Sequence, residues 1–130
     1  MTAIEWIRWL HLLSASVWTG GLIVLAGLIM ALRKAGAERE LLRAAARQFA
    51  RISWTAMLIA VLTGIAQVHL LVLPWSYGRL QAKLVLVALA IILAAGHQFT
   101  ARRSSPAVRG IVQLVILLVS LGIFFAAVRL

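Results

Sequence analysis

The sequence predicts an all-α integral membrane protein, a four-helix bundle with both termini on the outer side, and three observations carry that prediction. The thirteen lysines and arginines leave four uncharged stretches, residues 12–32, 52–73, 84–101 and 110–128. Each can cross a hydrocarbon core that takes roughly 20 apolar residues of helix. Composition agrees, with 64% hydrophobic and only 12% charged residues and a mean hydropathy of +1.04. The connections between the stretches are short, so the 130 residues read as one domain, with helices at about 4–32, 52–73, 80–101 and 110–128. In lipid the backbone must satisfy its own hydrogen bonds, which leaves helices as the economical reading of such stretches.

The first stretch is expected to stay as a helix. Glu5 precedes Arg8, so a basic n-region is missing, and Ser14 and Ser16 come too early to follow the core of a signal peptide. The segment between spans one and two holds Arg33, Lys34, Arg39, Arg43, Arg47 and Arg51, and that between spans three and four holds Arg102, Arg103 and Arg109. Only Arg8, Arg79, Lys83 and Arg129 lie on the other side. The positive-inside rule therefore puts both basic connections in the cytoplasm and the turn at Pro74 to Arg79 outside. A multi-pass protein of a bacterial inner (plasma) membrane is the expected setting. The net charge of +10 is read as topology signals and contacts to lipid phosphates, with no nucleic acid as partner.

Arg39, Arg43, Arg47 and Arg51 recur every four residues with Leu41, Leu42, Ala45 and Phe49 between them. Either an amphipathic helix lies on the anionic leaflet or span two begins early and projects into water; the spacing fits both. Gly20, Gly21 and Gly27 in span one, Gly64 in span two and Ala90, Ala94 and Ala95 in span three predict close backbone approach. Trp6, Trp9, Trp75 and Tyr77 sit where an outer aromatic belt belongs.

Function is sought in the ionisable groups inside the membrane, because such groups are costly there. His11 lies at the outer end of span one and His69 at the outer end of span two, so the two are expected in one layer. His97 lies near the inner end of span three, fourteen residues beyond Lys83, which is roughly 21 Å of rise with the two within about 40° of one face. Two imidazoles at one depth on neighbouring helices suit axial ligation of a b-type haem, with His11 and His69 as iron ligands. Arg8, Arg79 and Lys83 at the outer level offer cations to propionates. The helix face through His11, Ser14, Ala15, Trp18 and Gly21 or Leu22 offers a surface for a porphyrin, although Trp18 reads first as packing. A lone histidine can instead hydrogen-bond a neighbouring helix, and Lys83 can snorkel to headgroups. With no cysteine and only Met1, Met30 and Met57, soft Cu(I) ligands are scarce.

Residues 7–22, IRWLHLLSASVWTGGL, resemble the first helix of the copper-resistance protein D (CopD) family, a histidine followed by a tryptophan and a glycine pair. Residues 49–64, FARISWTAMLIAVLTG, are similar to its second helix, and residues 77–97, YGRLQAKLVLVALAIILAAGH, to its tyrosine–glycine signature before a helix with an early lysine. The same stretches resemble the related HemJ-type protoporphyrinogen oxidases, with Gln81 standing where histidine is expected in the oxidases. These resemblances imply functional positions at His11, Lys83 and His97 and haem b as cofactor. A haem held by these residues is expected to serve electron transfer between a quinone or small reductant and a redox partner protein. The family name implies copper transport or resistance as the alternative. A third expectation is a non-catalytic accessory subunit of a larger membrane complex, and a homodimer is equally open.

Overall fold

Among the described residues four helices account for almost everything: α1 (Ala3–Lys34), α2 (Arg39–Leu70), α3 (Gly78–Thr100) and α4 (Pro106–Val128). The computed structural model describes residues 1–100, 103 and 105–128, with only the backbone of Pro106. Arg102 and Arg129, counted above as topology signals, and Ala101, the expected end of span three, lie outside the described residues. Each of the four helices is long and apolar enough to cross a membrane, the architecture of a multi-pass membrane protein. Large apolar side chains stand exposed along all of them, among them Ile23, Leu58, Ile92 and Leu118, as lipid-facing surfaces require.

The helices form two hairpins, residues 1–73 and residues 74–130. In the first, α1 opens with a capping box: the Thr2 backbone N–H donates to Glu5 Oε2 at 2.7 Å and the Glu5 N–H donates to Thr2 Oγ1 at 3.3 Å. Two of the orphan donors at the helix start are thereby satisfied. Both α1 and α2 end in a Schellman arrangement. The Ala37 N–H reaches Leu32 O and the Gly36 N–H reaches Arg33 O; likewise Leu73 reaches Val68 O and Val72 reaches His69 O. The residue after the cap must then be left-handed. Gly36, with φ +82°, suits that position, whereas Val72, with φ +53°, is a β-branched residue held there.

At 32 residues, α1 and α2 each rise about 48 Å, well beyond the hydrocarbon thickness. The segment from Arg39 to Arg51 belongs to α2 without a break. Of the two readings of its arginines, the early start of span two is the one found, with Arg39, Arg43, Arg47 and Arg51 all exposed. Arg47 pairs with Glu40 at 3.1 Å on that exposed surface. Between the helices Ser14, Trp18 and Thr19 of α1 and Ala56, Met57, Thr63 and Val68 of α2 are buried. Trp18 meets Trp54 edge to face, ring centres 5.5 Å apart.

The second hairpin follows a turn in which the Tyr77 N–H donates to Pro74 O. Its core is Leu80 and Ala90 of α3 with Ile116 and Ser120 of α4. A Cβ at Gly122 would stand 3.7 Å from Leu86, ordinary van der Waals contact. The first turn of α4 has Ser105 as cap, its hydroxyl oxygen accepting from the Val108 N–H at 3.2 Å, and Pro106 at the first helical position.

Candidate functional site

A polar cluster in the first hairpin is built on His11. Its imidazole Nδ1 lies 2.8 Å from the Ala60 carbonyl oxygen and 3.0 Å from Thr63 Oγ1. A carbonyl oxygen can only accept, so Nδ1 carries the proton and donates it; in the neutral ring the lone pair then belongs to Nε2. The Thr63 hydroxyl in turn donates to the Ile59 carbonyl at 2.6 Å, which leaves its oxygen to share the Nδ1 proton. That carbonyl of Ala60 is reachable because Gly64 stands beside the ring, where a Cβ would come 3.2 Å from His11 Cε1. On α1, the His11 carbonyl accepts from Ser14 Oγ at 3.0 Å.

Ala60, Thr63 and Gly64 were absent from the expected site. A glycine next to the threonine in span two was the available signal: an antiparallel hairpin joined at residues 35–38 places residues 60–64 opposite residue 11. Gly64 does allow the close approach expected of it, and Ala90 is fully buried between α3 and α4. Gly20 and Gly27 do not act that way, since a Cβ at either would meet nothing within 4 Å.

Two further expectations are corrected. His11 and His69 do not share a layer. His11 sits at the level of Ala60 to Gly64, and His69 is five residues beyond Gly64, about 7.5 Å further along the axis. His69 is exposed in the last turn of α2, while His11 is half-buried. The helix face through His11, Ser14 and Trp18, expected as a porphyrin surface, is the face packed on α2.

Arg8 lies one turn before His11 and is exposed. In the second hairpin Arg79 is exposed in the first turn of α3, and Lys83 and His97 are half-buried on the same helix. Among the described residues, no three His, Cys, Asp or Glu side chains gather as a metal cluster. Two contiguous open grooves of about 340 and 390 Å³ follow the seam of α1 and α2, sharing Val17 and Ile52, and neither is lined by His11.

Fold and site together define a multi-pass membrane protein of helical hairpins, with an interhelical polar cluster around His11 among the described residues. No family model matches the chain, and neither a curated protein nor a solved structure is found similar to it.

Proposed function

We propose that this is a CopD-like membrane protein that holds haem b through Nε2 of His11 and takes part in electron transfer. The observation that carries the reading is the bond from His11 Nδ1 to the Ala60 carbonyl, because a ligating histidine is usually oriented by a hydrogen bond from its other ring nitrogen. The donor set fits the group: a neutral imidazole with its lone pair on Nε2, on a helix whose surroundings are apolar. When bound, haem supplies a one-electron couple. His11 supplies the ligand, and Ala60 and Thr63 fix its tautomer and ring plane. Gly64 leaves the room that the ring occupies. Arg8, one turn before His11, would offer a cation to the haem carboxylates. A membrane quinol is a suitable reductant, since it reaches such a group through the lipid, and the basic connections favour a bacterial inner membrane.

The test is haem extraction with iron and copper analysis of the protein purified in detergent. Iron near one equivalent, lost in His11→Ala, is expected. A colourless, iron-free preparation from cells supplied with haem overturns the proposal, and one equivalent of copper in its place would favour metal transport.

A further inference from the structure

The two contiguous grooves on the seam of α1 and α2, joined at Val17 and Ile52, form one apolar channel with Gly20 in the lining of the first and Arg51 in that of the second, and a basic approach leads to it. Along α2 the lining runs from Phe49 to Ile59, ten residues or about 15 Å of rise, half the hydrocarbon thickness and so one leaflet. Three of the lining hydroxyls donate within their own helices: Ser14 to His11 O at 3.0 Å, and Ser16 to Leu12 O and Thr55 to Arg51 O, each at 2.7 Å. Gly20 lines the groove, and the absence of anything within 4 Å of a Cβ placed there shows that this glycine leaves space open. Arg51 is the charged residue in the lining. At i, i+4 spacing Arg43, Arg47, Arg51, Thr55 and Ile59 form one helix row, which leads from the exposed arginines into the groove.

We propose that this groove binds one acyl chain of an anionic phospholipid from the leaflet nearest the α1–α2 connection, with its phosphate at Arg51. Charge complementarity selects the occupant. A guanidinium at the end of an apolar channel matches a molecule with a long hydrocarbon chain and a negative head, and basic sites between membrane helices recognise such headgroups. A neutral lipid gains the apolar contact and lacks the ion pair. The site is independent of any haem.

The experiment is native mass spectrometry of the detergent-purified full chain, supplied with equal amounts of a phosphatidylglycerol and a phosphatidylcholine of the same chains. Retention of the phosphatidylglycerol about fivefold over the phosphatidylcholine is expected from one interfacial cation. Arg51→Gln should bring the two to parity, and Gly20→Leu should displace both by filling the groove, with helix content by circular dichroism unchanged in each. Equal retention by the wild-type chain overturns the proposal, as does full retention in Gly20→Leu. A stable dimer that Gly20→Leu dissociates would also overturn it, since the groove would then be covered by a second copy.

Discussion

The His11 ring lies close against Gly64 of the neighbouring helix. Gly64→Ala would place a Cβ 3.2 Å from Cε1, so either the ring or the helix must shift. We predict a loss of about 1–3 kcal/mol, the usual cost of overpacking, read as a lower midpoint in denaturant unfolding followed by circular dichroism. Thr63→Val keeps the shape and removes the hydroxyl; its effect should be smaller, near the roughly 0.6 kcal/mol average for interhelical hydrogen bonds in membranes. Val72 is the other residue under local constraint. Its left-handed backbone costs a β-branched residue about 1–2 kcal/mol, so Val72→Gly should raise the unfolding midpoint, whereas Gly36→Ala at the matching position of α1 should lower it. No gain in Val72→Gly would mean that the turn is not held left-handed in the protein. The imidazoles were legible in the sequence as intramembrane polar groups, but their partners were not. A backbone carbonyl such as that of Ala60 has no residue type to announce it, and the register of a hairpin is fixed by its turn.

At the scale of elements, the hairpins depend on small residues at a few levels. Ala90 has no exposed surface, and Ser120 and Ile116 have almost none. Ala90→Leu should therefore force α3 and α4 apart at a cost of about 1–3 kcal/mol, while Leu58→Ala on the exposed side of α2 should change stability by less than about 0.5 kcal/mol. Comparable losses in both would show that the described core is not where the packing energy resides. The four apolar stretches were readable because span length is dictated by the bilayer. Helix ends were less so: α2 continues twelve residues on the N-terminal side of Arg51, since nothing in a row of solvated arginines, leucines and alanines breaks a helix. The capping box at Thr2 and Glu5 was a local signal that hydropathy alone passes over. Small residues were the least diagnostic, because glycine serves close packing at Gly64 and open space at Gly20, and the difference depends on what the opposite helix presents.

For the whole molecule, the positive-inside pattern predicts that the turns on either side of α2, at Glu38 and at Ser76, lie on opposite faces of the membrane. The chain has no cysteine, so single cysteines report without background. Glu38→Cys should react with an impermeant maleimide only after the cell is opened, and Ser76→Cys in intact spheroplasts; the reverse pattern would refute the charge-based orientation. The His11 cluster belongs to the α2 end away from the basic connection. The claim that most needs testing is that His11, oriented by α2, is an iron ligand. The most direct measurement is the dithionite-reduced minus oxidised visible spectrum of the wild-type chain beside His11→Ala, both reconstituted with haem. The account predicts the sharp α-band of a b-type haem in the wild type and its loss in the variant; an identical band in both, or none in either, would contradict it.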